Sequence, residues 1–126
     1  MNSAQLIREF WSHIQAREWE AAHAFLTPEF TATWPHTGER FIGRDNFIAM
    51  NREYPEGWTL HILDIASTGD MAVSQVEILH DGERHHGASF FTLRDGLISA
   101  VTEYWVQHGA EKPPEWRQKF AAPENQ

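Results

Sequence analysis

The chain has 126 residues, of which 41% are hydrophobic and 13% aromatic, so it can bury one compact core. Its formal net charge of −8 argues against binding nucleic acid or an anionic membrane surface, because phosphate contacts require clustered Lys and Arg. It contains no Cys, which excludes disulfide bonds, thiolate metal ligands and cysteine nucleophiles.

The first segment, residues 3–26, predicts helical structure. Its apolar residues recur at three- and four-residue intervals and make one stripe: Leu6, Ile7, Phe10, Trp11 and Ile14. The phase of the pattern shifts near Arg17, so the segment predicts two helices or one broken helix. Ser3 is the expected N-cap, because its hydroxyl can accept a hydrogen bond from the first turn.

A short strand is predicted next, at residues 29–34, where Phe, Thr and Trp alternate with other residues. Phe41 would lie on a returning hairpin strand. Residues 43–54 then predict a third helix, which Pro55 ends.

From Trp58 onward the pattern changes to the period of two that is typical of strands. Four such segments are separated by Gly69-Asp70, Asp81-Gly82 and Asp95-Gly96. Asp-Gly between two strand patterns is a strong hairpin signal, so this half predicts a four-stranded antiparallel meander. Helices followed by a long curled sheet constitute an α+β fold.

We expect a single domain over residues 1–126, with a core at about 5–107 and a tail at 108–126 that carries a short helical turn. A secretory signal begins with a basic segment followed by an apolar run, and the first residues show no such pattern. No apolar run approaches the ~20 residues that a membrane span requires. The expected location is therefore the cytoplasm.

Two strands of the meander carry a glutamate at mid-strand among apolar neighbours. One face of the later strand holds Val101, Glu103 and Trp105, and one face of the earlier strand holds Val73, Gln75 and Glu77. Two carboxyls in one cavity would separate their pKa values into those of an acid and a base. Alternatively, each Glu pairs with a nearby Arg or His, or faces water.

The histidines offer further acid–base groups. Trp34 and His36 lie two residues apart at the end of the first strand and can point the same way. His61 lies mid-strand, and because His85 and His86 are adjacent, only one of them can face a pocket. His80 is interpreted as a surface or turn residue.

The usual short motifs of other enzyme classes are absent from the sequence: GxGxxG, the P-loop, HExxH and GxSxG. No two His lie at ligand spacing on one helix face, so we expect no metal site and no cofactor. The remaining chemistry is proton transfer or water activation by carboxylate and imidazole groups.

Three segments, in this order, carry a resemblance: FWSHIQAREWEAAHAFLTPEFTATWP, GERFIGRDNF and FFTLRDGLISAVTEYWVQ. Over residues 5–107 the chain resembles the nuclear transport factor 2-like superfamily, in its SnoaL-like polyketide-cyclase branch. The resemblance implies a cone, in which a curved antiparallel sheet wraps N-terminal helices around an internal pocket, and a homodimer formed through the convex face. Members include ketosteroid isomerase, scytalone dehydratase, limonene epoxide hydrolase and polyketide cyclases, and others only bind ligands or partners.

The resemblance can be carried over by position. Glu103 matches a last-strand Asp of the epoxide-hydrolase-like members, Gln75-Val76-Glu77 matches their Arg-x-Asp, and Trp34-Pro35-His36 matches their Tyr-x-Asn. None of these positions keeps the family residue. Loss of the Arg argues against epoxide opening, because that Arg polarises the carboxylates.

We therefore predict a cofactor-independent isomerase, dehydratase, hydrolase or cyclase acting on an apolar, oxygenated small molecule. Glu103 would be the acid or base, Glu77 would tune it or orient water, and His36 would be a second acid–base group. The predicted substrate-binding residues are Trp34, His61, Gln75, Phe90, Val101 and Trp105. The alternatives are a non-catalytic domain that binds a hydrophobic small molecule, and an accessory dimer whose pocket has collapsed.

Overall fold

The structure, a computed structural model, describes residues 2–125, which form three α-helices and one six-stranded sheet. The helices are α1 (Ser3–Gln15), α2 (Trp19–His23) and α3 (Arg44–Glu53). The strands are β1 (Leu26–Trp34), β2 (Glu39–Ile42), β3 (Trp58–Thr68), β4 (Met71–His80), β5 (Glu83–Arg94) and β6 (Leu97–Gln107). A 3₁₀ helix follows in the tail at Glu115–Phe120. The predicted α+β order is confirmed.

The N-terminal segment is two helices, as its shifting periodicity predicts. The break lies at Arg17, whose backbone φ is 60°. The predicted N-cap at Ser3 is wrong, since Asn2 caps α1. Asn2 Oδ1 accepts a hydrogen bond from Gln5 N at 2.8 Å, and Gln5 Oε1 accepts one from Asn2 N at 3.2 Å. This reciprocal pair is a capping box, which satisfies two backbone N–H groups at the start of the helix.

The strands lie in the order β2-β1-β6-β5-β4-β3, and β1 with β6 is the parallel pair among otherwise antiparallel neighbours. Asp81-Gly82 and Asp95-Gly96 both have two positive φ angles, which is the geometry of type I′ hairpin turns. The predicted meander is therefore present as β3 to β6. β1 begins earlier than predicted, at Leu26, because Leu26 pairs with Ile98 of β6. The ladder is interrupted between Leu26 and Thr31, where Pro28 lacks an N–H to donate.

A β-bulge near the start of β6 changes the register of the last hairpin. Leu93 pairs with Ile98, whereas Thr92 pairs with Ala100, so Ser99 has no partner in the ladder. The shift places Ser89 opposite Glu103. Without the extra residue, Ala88 would occupy that place. Because side chains alternate between faces, one extra residue exchanges the two faces of β6 relative to β5.

The core lies between α1 and the concave face of the sheet. The apolar stripe of α1 is buried as predicted. Trp11 packs edge-on against Phe91, with ring centroids 6.2 Å apart, and its indole Nε1 donates to Ser74 Oγ at 3.0 Å. This contact holds α1 against β4 and β5 and leaves a hollow towards α3. Within residues 2–125, no helix has both the length and the apolar character to cross a membrane.

Candidate active site

Glu103 lies on the concave face of β6 and is 2% exposed. Its Oε1 accepts a hydrogen bond from Trp34 Nε1 at 3.0 Å, and its Oε2 accepts one from Ser89 Oγ at 2.6 Å. β1 supplies Trp34 and β5 supplies Ser89, so strands on both sides of β6 position the carboxyl. Each carboxylate oxygen keeps a second lone pair, which leaves the group able to accept a proton.

Burial raises the pKa of the Glu103 carboxyl above its ordinary value, because an environment without water disfavours the charged form. Hydrogen bonds from Ser89 and Trp34 oppose this rise, since they stabilise the carboxylate. The indole of Trp105 and a positive charge on His36 act in the same direction. The Trp105 indole N–H is buried and makes no hydrogen bond among residues 2–125.

A cavity of about 210 Å³ lies in front of Glu103, between α1, α3 and the concave face of the sheet. Aromatic side chains line much of it: Phe10, Trp11, Trp34, Phe47, Trp58 and Trp105. The volume is below the ~300–1,000 Å³ of most ligand sites. However, an apolar cavity of about 150 Å³ accepts benzene. The hollow has therefore not collapsed, and it has room for a small ligand.

Three histidines line the cavity: His36, His80 and His85. As predicted, only one residue of the adjacent pair does so, and it is His85 rather than His86. The interpretation of His80 as a surface or turn residue is wrong, because it lies at the end of β4 with its side chain on the cavity side. His80 Nε2 is 3.1 Å from the carbonyl oxygen of Glu56, which ties β4 to the loop before β3.

The predicted convergence of Glu77 with Glu103 is wrong. Glu77 pairs across the ladder with His86, and Glu103 pairs with Ser89. His86 and Ser89 are three residues apart on β5, so they point to opposite faces. Glu77 therefore lies on the convex face, where its carboxylate is 3.6 Å from His61 Nδ1 and 3.8 Å from Arg84 Nε. The alternative that this Glu pairs with Arg and His is confirmed.

Three of the predicted substrate-binding residues share the convex face with Glu77 and lie outside the cavity: His61, Gln75 and Phe90. The match of Gln75-Val76-Glu77 to a catalytic Arg-x-Asp therefore brings neither polar side chain to the cavity. Trp34, His36 and Trp105 do line the cavity, and Val101 is buried in the core on the same face.

Sequence reasoning missed Ser89 as the partner of Glu103. A hydroxyl on the neighbouring strand was the available signal, but counting from the Asp95-Gly96 turn puts Ala88 opposite Glu103 until the bulge is known. It also missed Asn51 and Tyr54 at the end of α3, which line the cavity. Among residues 2–125, no three His, Asp or Glu side chains gather closely enough to hold a metal ion.

The comparisons with known proteins identify the family. The sequence model of the SnoaL-like domain matches residues 7–101. The chain belongs to the SnoaL-like domain family. No protein of curated function matches it in sequence.

Solved structures of SnoaL-like and nuclear transport factor 2-like proteins share the fold. A ketosteroid isomerase candidate from Kribbella flavida is 31% identical, with a TM-score of 0.89 over 95% of this chain and 87% of that one. A polyketide cyclase candidate from Xanthomonas campestris is 23% identical, with a TM-score of 0.65 over 81% and 88% of the two chains. An LEH-like epoxide hydrolase from M. tuberculosis is 15% identical, with a TM-score of 0.68 over 82% and 81%.

The resemblance to the nuclear transport factor 2-like superfamily and the cone fold of this SnoaL-like protein are thereby confirmed. The names attached to these neighbours cover three different reaction types. Because one fold hosts many chemistries, the reaction has to be argued from the residues around Glu103.

Proposed function

We propose that this SnoaL-like protein is a cofactor-independent acid–base enzyme that acts on an apolar, oxygenated small molecule. The observation that carries the proposal is Glu103, a carboxyl with a raised pKa at the wall of an aromatic cavity. A carboxyl whose pKa is raised by burial and that lies in a cleft is a candidate for a functional group, so the position of Glu103 favours a chemical role. A raised pKa brings the group nearer to neutrality, where a general acid or base is most effective.

The geometry suits a proton shuttle. As carboxylate, Glu103 would take a proton from a carbon next to a carbonyl group. The C–H electron pair would become the C=C bond of an enolate, and the carbonyl π pair would move to the oxygen. The protonated carboxyl would then return the proton to carbon, at the same or a neighbouring position, so no proton is gained or lost. Trp34 and Ser89 hold the carboxyl in place throughout. The named activity of the Kribbella flavida neighbour, isomerisation, is of this class.

A non-catalytic binding domain is the second candidate. Both oxygens of Glu103 already have protein donors, an arrangement that a purely structural carboxylate would also have. In that case the cavity would bind the same class of hydrophobic compound without changing it.

Deuterium exchange separates the two candidates. Incubated with cyclohexanone in deuterium oxide, the protein should speed deuterium uptake next to the carbonyl about 10²-fold or more over buffer at the same pH. Proton NMR follows the loss of signal. Saturable binding of the ketone with exchange at the buffer rate would contradict the enzyme and support the binding domain.

We also propose that the convex face packs against a second copy of the chain. Four large apolar side chains are exposed there together: Val73, Phe90, Tyr104 and Val106. Such a patch is typical of an interface, and a two-fold dimer would bury the same patch on both copies.

A charged substitution tests this dimer. Light scattering after gel filtration should report a dimer for the wild type and a monomer for Val106→Lys, because a buried Lys without a partner opposes association. Ile42→Lys on the edge strand β2 is the matched control and should remain dimeric. A monomeric wild type at tens of micromolar would refute the proposal.

The cytoplasmic location stays a prediction.

A further inference from the structure

Gly87 interrupts the row of side chains that β5 presents to the cavity side. It is buried, and it lies between His85 and Ser89 on the concave face. Its partners across the ladder are Trp105 on β6 and Val76 on β4. Residues that face each other across a ladder point to the same side, so the space above Gly87 adjoins the indole of Trp105.

The indole of Trp105 occupies that space. A Cβ atom built on Gly87 would lie 2.4, 2.6 and 2.7 Å from three carbons of the six-membered ring of Trp105. Carbon atoms in contact are normally ~3.5–4.0 Å apart, so no side chain fits beneath the ring. The φ angle of Gly87 is not among the positive ones of the chain. Glycine is therefore required here by space and not by backbone conformation.

This close approach affects the volume of the hollow. With no side chain at position 87, the indole lies down against the sheet while still lining the cavity. A methyl group at that position would lift the ring towards α1 and α3, into the space in front of Glu103. Trp105 and Glu103 are two residues apart on one face and both line the cavity, so a compound stacked on the indole lies beside the carboxyl.

We propose that the Gly87–Trp105 pair selects the substrate, admitting a compound with one six-membered ring and an oxygen substituent and rejecting fused rings. An apolar cavity of roughly 150 Å³ accepts benzene. The cavity in front of Glu103 has about 210 Å³, and the additional volume is enough for only a few substituent atoms. The indole provides a flat apolar surface for stacking one ring, and the carboxyl next to it would meet the polar substituent. This inference rests on the proposed function for the location of the site, but binding tests it separately.

The test uses phenol as the one-ring probe and naphthol as the fused-ring probe, with affinity measured by calorimetry. Wild type should bind phenol at least ~10-fold more tightly than naphthol, a difference of about 1.4 kcal/mol. Trp105→Ala should reverse this preference, because removing the indole enlarges the cavity enough for a second ring. Gly87→Ala should weaken phenol binding at least ~10-fold, because the lifted indole fills the hollow.

A double variant separates a filled cavity from a misfolded protein. In Gly87→Ala/Trp105→Ala the clash is gone, so the protein should fold and bind phenol again even where Gly87→Ala alone does not fold. Trp116→Ala, in the exposed tail, controls for the loss of a Trp and should bind as wild type does. Wild type that binds no phenol, or binds naphthol equally well, would overturn the inference, as would unchanged phenol binding by Gly87→Ala.

The outcomes also separate this inference from the proposed function. If the binding pattern holds but cyclohexanone shows no catalysed exchange, the enzyme proposal fails and the size selection stands. If decalone, a fused two-ring ketone, exchanges as fast as cyclohexanone, the size selection fails and the acid–base chemistry stands.

Discussion

Glu103→Gln should abolish catalysed deuterium exchange, lowering its rate by about 10²–10⁴. The amide has nearly the shape of the carboxyl and can keep both neighbours, accepting from Trp34 Nε1 and donating to Ser89 Oγ. It cannot accept a proton in the reaction, so the loss falls on chemistry and leaves the cavity intact. Proton NMR of cyclohexanone in deuterium oxide measures the rate, and phenol binding should stay within about twofold of wild type.

The same substitution should stabilise the protein at neutral and alkaline pH. The pKa of Glu103 is raised on folding, so the folded state holds the proton more tightly than the unfolded state. The contribution of Glu103 to wild-type stability is fully present below the unfolded pKa of ~4.3. This contribution is lost as the pH rises through the higher folded pKa. Gln has no such loss. Above the folded pKa, the variant should exceed wild type in free energy of unfolding by about 1.4 kcal/mol for each pH unit that separates the folded from the unfolded pKa of Glu103.

Urea unfolding of wild type and variant at a series of pH values measures the difference between their free energies of unfolding. The other titrating groups are the same in both proteins, so their contributions cancel in this difference. Glu77→Gln is the matched control, because this glutamate lies on the convex face, away from the cavity. It should leave the exchange rate unchanged. A Glu103→Gln variant with full exchange activity and lower stability at every pH would make the buried carboxylate a structural group.

Trp11→Ala should destabilise the protein by about 3–5 kcal/mol, the usual effect of deleting a buried large aromatic side chain. Trp11 is 5% exposed and joins α1 to the sheet through Phe91 and Ser74. Removing it leaves a cavity and a buried hydroxyl without its donor. Because domains of this size are stable by only about 5–15 kcal/mol, the loss is a large fraction of the total. The urea midpoint measures it.

Trp116→Ala makes the same change in the tail, where the side chain is 69% exposed, and should alter stability by less than about 0.5 kcal/mol. Trp11→Phe keeps most of the ring and removes the N–H, so it should fall between the two. Equal effects of the Trp11 and Trp116 substitutions would contradict the described packing of α1 on the sheet.

Local patterns in the sequence predicted most of the fold. The stripe of α1, the break at Arg17 and the turns at Asp81-Gly82 and Asp95-Gly96 depend on neighbouring residues, so the sequence alone reveals them. The grouping of Glu103 with Trp105 on one face follows from alternation along a single strand. The sequence also showed that a buried mid-strand carboxylate needs an explanation, and the structure supplies two hydrogen-bond donors for it.

Relations between strands could not be predicted in this way. Counting from Arg94 and Leu97 without a bulge places His86 opposite Trp105, so Glu77 and Glu103 would share a face. One unpaired residue, Ser99, reverses this and puts Ser89 opposite Glu103 instead. A bulge depends on how two strands pair and how the sheet bends, and no local sequence motif predicts the one at Ser99.

The sequence by itself therefore determined the elements, their order and the carboxylate at the centre of the site. Only the tertiary structure decided how that carboxylate is held. Trp34 from β1 and Ser89 from β5 donate hydrogen bonds to it, and the Trp105 indole lies against the sheet at Gly87. The physical reason is that periodicity is a property of one strand, whereas register and close approach arise when distant segments pack together.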